Sequence, residues 1–204
     1  SLVLGRRVPS STEATQWSLV LDTNEHEFLL DHAIENVPVL PLASATDLLA
    51  MTARPALPFQ VVDVRLFQGV TVETPVQLTL SSRGGKSEIR LGEKQTLAYR
   101  AQILSSVAVE HHPEQLTGGV VPKTSLEDFY NGITFHGPML QGISKIDGMT
   151  TTFIHGQVKT STPKTWMKDT GREHWAIDPL AFDSAMQMSG LVAWDQYGRA
   201  GTPV

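Results

Sequence analysis

Two groups of side chains in this 204-residue sequence have the types and spacing to move protons, and a third segment accompanies them. His32 follows Asp31 in a loop that runs into the prolines Pro38 and Pro41. Imidazole exchanges a proton near neutral pH, although a single histidine is more often an ordinary surface or core residue. Asp183 and Gln187 stand four residues apart, so on a helix both project to the same side. An acidic residue close to a helix N-terminus can simply be solvated and stabilised by the helix dipole. Here Phe182, Ala185 and Met186 crowd it, and apolar neighbours favour the protonated carboxyl that a general acid requires. The third segment is Phe135-His136-Gly137-Pro138 with Gln141 downstream. A Gly-Pro pair by itself marks only a turn. His111 and His112 adjoin Pro113 and read as a solvated pair, so no metal set is expected.

The elements that must position these groups follow from periodicity. Residues 16–22 alternate as a strand, and 28–36 form a short apolar turn region. The segment 37–41 is held extended by its prolines. Residues 44–53 carry helical spacing at Ala45, Leu48, Leu49 and Thr52, with Ser44 or Thr46 as cap and Arg54-Pro55 as the stop. Strands are expected at 59–67, 70–80, 87–91 and 96–109, with residues 81–85 as a turn. The order strand, helix, antiparallel strands predicts an α+β layout in which a sheet wraps one helix. Residues 111–123 hold two prolines and two glycines and read as a linker. The plan then repeats: a loop or short helix at 129–140, a hairpin over 142–148 and 151–159 turning near Asp147-Gly148, a polar loop at 161–172, and a helix over 179–194 that begins on Pro179.

Composition narrows the function classes. There is no cysteine, which excludes disulfides, thiolate metal sites and cysteine nucleophiles. The net charge is −5 and no basic run occurs, which argues against nucleic acid as a partner yet leaves room for a local basic patch that docks an acidic protein. No signal peptide and no apolar stretch of bilayer-spanning length is visible, so no membrane association is expected and the cytoplasm is the expected location. The sequence opens on Ser1 and stops at Val204, and reads as a fragment of something longer.

The three segments together carry a resemblance. Residues 31–41 resemble the H-x-x-x-G-x-x-x-x-P signature of polyketide synthase dehydratase domains, with His32 and Pro41 in register and Asn36 in place of the glycine. Asn is the non-glycine residue best suited to a left-handed backbone. Residues 178–187 look like the family's proline followed by a D-x-x-x-Q helix, with Asp183 and Gln187 in the motif positions. Residues 136–141 are similar to Y-G-P-x-F-Q: Gly137, Pro138 and Gln141 match, while His136 replaces the tyrosine and Leu140 the phenylalanine. The nearest likeness is to iterative bacterial polyketide and polyunsaturated fatty acid synthases.

The resemblance implies a double hotdog fold, each curved antiparallel sheet wrapped around a central helix. A first hotdog over 1–110 would supply His32 and a second over 124–204, truncated, would supply Asp183. It implies a hydro-lyase of a multidomain synthase that removes water from a β-hydroxyacyl thioester to give the α,β-enoyl product. His32 would be the base and Asp183 the acid. Gln187 would orient the acid, and His136, Gly137, Pro138 and Gln141 would shape the pocket. Asn36 and Pro41 would set the loop, and backbone N–H groups around Val37 would polarise the thioester carbonyl. No bound cofactor is implied; the substrate rides on the phosphopantetheine of an acyl carrier protein. That carrier and neighbouring synthase domains are the implied partners, together with a homodimer. The same His/Asp pair also fits a product-template cyclase or a double-bond isomerase. The replacements at Asn36 and His136 leave open a silent, structural domain.

Overall fold

Alternation decides the main sheet. In the computed structural model, which describes residues 14–105, 118–168 and 171–199, strand β1 (Thr15–Leu21) turns Trp17, Leu19 and Leu21 inward. Strand β5 (Val76–Arg83) does the same with Leu78 and Leu80. With β4 (Phe59–Leu66), β6 (Lys86–Leu91) and β7 (Thr96–Ser105) they form one antiparallel sheet in the order β1-β5-β6-β7-β4. Its inner face wraps helix α1 (Leu42–Ala53), which is buried on nearly every side. An all-round buried helix is expected to lack a strong amphipathic stripe, and α1 uses small residues, Ala43, Ala45 and Ala50, beside Leu48 and Leu49. This is the hotdog arrangement, α+β with antiparallel strands.

Several local details differ from the sequence reading. Helix α1 starts at Leu42 with Pro41 as its N-cap residue. Ser44 and Thr46 are therefore inside the helix, and the Thr46 hydroxyl donates back to the Leu42 carbonyl at 2.8 Å. Residues 70–75 are not strand, although Val39 and Thr71 form an isolated bridge. Residues Ser81, Ser82 and Arg83 stay in β5, and the turn is Gly84-Gly85, both at positive φ. Such a two-residue turn matches the twist of paired strands. A Cβ on Gly85 would lie 2.6 Å from the Ile103 carbonyl oxygen, so the close approach of β7 also demands glycine. The expected strand at 96–109 is described as far as Ser105, and residues 111–117 of the expected linker lie outside the described residues.

The remaining elements are fewer. After α2 (Leu126–Asp128) a π-helical turn spans Phe129–Ile133 and a 3-10 turn spans Pro138–Leu140. Strands β8 (Ile143–Met149) and β9 (Ile154–Val158) form a hairpin. Its turn falls at residues 150–153, because Asp147-Gly148 belong to β8, where the register shifts. Gly148 is pressed against the Gly118 carbonyl, a contact that leaves no room for a side chain. The segment expected as loop contains α3 (Pro163–Trp166), whose Trp166 stacks on Phe28 with ring centroids 4.9 Å apart.

Helix α4 (Pro179–Tyr197) closes the site. Its start is fixed by Pro179 in the first position and by Asp178, whose carboxylate accepts from Leu180 N at 2.9 Å, the usual remedy for orphaned N–H groups. Gly198 at φ 63 ends it, the left-handed cap that glycine tolerates best. Short strands β2 (Ala33–Ile34) and β3 (Val37–Pro38) form a small hairpin ahead of α1.

Candidate functional site

The loop that carries His32 is built by that small hairpin. Glu35 and Asn36 occupy its two turn positions at φ 52 and 67, the conformation that asparagine accepts more readily than most residues. The hairpin returns the chain so that Val39 N donates to the His32 carbonyl at 2.9 Å. The His32 ring answers with Nδ1 placed 2.8 Å from the Val39 carbonyl oxygen. A carbonyl only accepts, so Nδ1 carries the proton and Nε2 keeps its lone pair. Burial pushes the imidazole below its ordinary value of 6.5; the Asp183 carboxylate, when ionised, works against this push and His136 adds to it. The ring is thus neutral at pH 7, with its basic nitrogen free.

Asp183 is delivered from the first turns of α4 and is buried. Gln187, one turn on, donates from Nε2 to Asp183 Oδ2 at 2.6 Å and to the Leu140 carbonyl at 2.9 Å. The amide orientation is fixed at its other end, where the Tyr130 hydroxyl donates to Gln187 Oε1 at 2.9 Å. Tyr130 also accepts from Ile143 N at 3.1 Å, and burial pushes its phenol up to about 12. A neutral phenol, an amide and a carboxyl therefore form one chain of hydrogen bonds.

His136 joins the two halves of the site. It forms an isolated antiparallel bridge with His32, and their ring centroids are 5.3 Å apart. Its Nε2 lies 3.2 Å from Asp183 Oδ2, and its Nδ1 contacts the Thr134 hydroxyl. Phe135 stacks on the His136 ring at 4.3 Å and meets the His32 ring edge-on at 5.0 Å. Asp31 secures this segment: its carbonyl accepts from Gly137 N at 2.7 Å, and its carboxylate accepts from Met139 N at 2.6 Å. Any Cβ on Gly137 would collide with the Asp31 side chain, which explains the glycine. Pro138 opens the 3-10 turn, and Gln141 Nε2 donates to the His136 carbonyl at 3.1 Å.

His32, His136, Asp183 and Gln187 all line one cavity of about 220 Å³. Its walls are apolar, with Ile34, Leu42, Leu66, Phe129, Ile133 and Phe135 among them. Such a space suits an acyl chain with a few polar groups at one point. Asn36 and Val37 are not among the lining residues; Val37 pairs with Ile34 inside the hairpin. Pro41 acts at one remove, as the N-cap of α1 between the lining residues Leu40 and Leu42.

The sequence reading missed Tyr130, Phe135 and Asp31 as supports, and Tyr99, whose hydroxyl donates to the Leu40 carbonyl at 3.0 Å beneath the cavity. Asp31 was adjacent to His32, which was a usable signal; Tyr130 offered none, because its partner Gln187 is 57 residues away. It also missed a tie behind the site. Asp47 of α1 is buried and takes two bonds of 2.7 Å from the Arg172 guanidinium, with further bonds from Ala176 N and Ile177 N. That cluster holds the chain leading into α4 against α1.

Comparison with known proteins points one way. A family model described as the polyketide synthase dehydratase domain matches residues 2–106. No curated protein sequence matches the chain. Among solved structures, an isomerase-inactive variant of GphF DH1 is 18% identical, with 94% of this chain and 72% of that one covered and a TM-score of 0.75. The PpsC dehydratase domain from Mycobacterium tuberculosis, in complex with C12:1-CoA, is 22% identical over 92% of this chain and 72% of that one, at 0.68. The dehydratase domain from the CurK module of curacin polyketide synthase is 16% identical over 96% and 76%, at 0.67. At these identities the likeness is one of fold.

Proposed function

We propose, from the premise that this chain belongs to the polyketide synthase dehydratase family, that it eliminates water from a β-hydroxyacyl thioester delivered on the phosphopantetheine arm of an acyl carrier protein. The observation that carries the reading is a neutral imidazole with a free Nε2 and a buried carboxyl lining the same apolar cavity.

The α-proton of a thioester is weakly acidic and hydroxide is a poor leaving group, so the step needs a base and an acid together. His32 Nε2 takes the α-proton as the C–H bond breaks and the C=C bond forms. Asp183 gives its proton to the β-hydroxyl as the C–O bond breaks and water departs. Each transfer is worth on the order of 10²–10⁴ in rate. Water leaves with the acid's proton while His32 keeps the one it took, so the site resets by moving one proton from His32 to Asp183. His136 lies beside both groups, with its Nε2 toward Asp183 and its Nδ1 toward Thr134. Gln187 and Tyr130 hold the carboxyl in one orientation.

The test is a purified, folded chain given a β-hydroxyacyl pantetheine thioester, with the products read by mass spectrometry. Formation of the enoyl thioester supports the reading; a folded protein that yields none favours a structural role. A second reading, a double-bond shift, draws on the solved neighbour described as an isomerase-inactive variant. The same incubation separates it once the enoyl products are resolved by proton NMR, since a shift would convert the α,β-enoyl to a β,γ-enoyl thioester of the same mass.

A further inference from the structure

The three ionisable groups of the cavity also make a ligand set, and we propose that His32, His136 and Asp183 bind a divalent transition ion of the zinc class. One donor atom from each lies within 4.8 Å of the others. Around a tetrahedral ion with bonds of about 2.0–2.1 Å, ligand atoms stand roughly 3.3 Å apart. His136 Nε2 and Asp183 Oδ2 are already at 3.2 Å. Bringing atoms that lie within 4.8 Å to this spacing takes a shift of at most about 1.5 Å.

The surroundings fit the ion as well as the distances do. A ligating histidine typically gives its other ring N–H to a carbonyl or a polar side chain, which fixes the tautomer and aims the free nitrogen. His32 does this through Val39, and the Thr134 hydroxyl beside His136 Nδ1 is able to accept in the same way once an ion takes Nε2. The carboxylate ligand is steadied by Gln187. Three protein ligands facing an open cavity leave one coordination position for water or a substrate sulfur or oxygen. Two imidazoles and one carboxylate select zinc, cobalt or nickel over calcium or magnesium, which prefer all-oxygen shells.

Position 136 is what makes the set possible. Tyrosine, which the resembling motif carries there, would present a neutral phenol in place of a third ligand. An ion held at this site would occupy the His32 lone pair and so silence the base; that consequence rests on the dehydration reading, whereas the binding itself does not.

Cobalt(II) titration of the purified full chain tests binding without any turnover. The expected result is one equivalent bound with visible d–d bands of tetrahedral intensity, displaced by zinc. Affinity should fall by roughly 10–100-fold or more in His136→Phe and again in His136→Tyr, with circular dichroism showing both variants folded. Zinc should raise the melting temperature of the wild type, as any ligand of the native state does, and lose that effect in both variants. Absence of the bands, or equal affinity in the wild type and both variants, would overturn the proposal and place any bound ion on other histidines.

Discussion

The two sides of the cavity are built to different standards. On the α1 side, a five-stranded sheet wraps a helix that is buried nearly all round, and His32 hangs from a two-residue-turn hairpin packed on that core. On the α4 side, the described residues supply a two-stranded hairpin and a small cluster of Phe129, Ile143, Ile146, Met188 and Leu191. The base is thus placed by dense packing. The acid is placed by polar chains: Gln187 to Tyr130, His136 to Thr134, and Asp47 to the approach of α4. Packing holds a group through many weak contacts that share the load. A hydrogen-bonded chain concentrates it on a few residues whose loss leaves buried polar groups unpaired.

The largest expected effects are catalytic and should be equal on both sides. His32→Ala and Asp183→Ala should each lower enoyl formation by on the order of 10²–10⁴, measured by steady-state kinetics on folded protein. A variant that keeps full activity removes that residue from the mechanism. Next comes the tie between the sides. Arg172→Met leaves the buried Asp47 carboxylate without its guanidinium and should cost about 3–5 kcal/mol in denaturant unfolding, more than any exposed ion pair would.

Core truncations sharpen the contrast. Leu49→Ala and Leu191→Ala both remove fully buried side chains, with costs expected within about 2–5 kcal/mol. Leu49 should fall near the upper end because the wrapped helix cannot collapse onto the cavity. Leu191 should fall near the lower end because its surroundings can relax. The reverse order would break the comparison.

The pH dependence follows from His32. Its native value lies below 6.5 because of burial, so the ring stays a competent base as pH falls through 6.5. The rate constant kcat/KM should then drop about tenfold per pH unit below the native value. Since the unfolded chain takes up this proton first, stability also declines as pH falls below about 6.5. A limb centred above 6.5 would contradict the buried, neutral ring. The smallest effect is at Asn36. Asn36→Gly should change stability by less than about 1 kcal/mol and leave turnover intact, whereas Asn36→Val at the same positive φ should cost about 1–2 kcal/mol.

What the sequence made legible tracks how local each feature is. The turn at Asn36, the Pro179 start of α4 and the shared face of Asp183 and Gln187 depend on neighbours a few residues away, and were readable. The strand ends of β5 and β8 were misplaced because serine and glycine punctuate turns on average. In β5 the register with β1 keeps Ser81 and Ser82 paired, and in β8 a close approach by Gly118 explains Gly148. Expecting Ser44 or Thr46 as a helix cap failed because Pro41 already starts α1 and burial favours small residues there. His136 was visible as an odd residue in a known place, yet its contact with Asp183 joins segments 47 residues apart. Only tertiary structure could reveal that the substitution adds a third ionisable group to the site.

The most direct measurement is a crystal structure of Asp183→Asn with a β-hydroxyacyl pantetheine thioester bound. The α-carbon should lie within about 3–3.5 Å of His32 Nε2, the hydroxyl within hydrogen-bond reach of residue 183, and the acyl chain along the apolar wall formed by Phe129 and Ile133. A thioester seated with its reacting carbons away from both groups, or bound outside this cavity, would contradict the account.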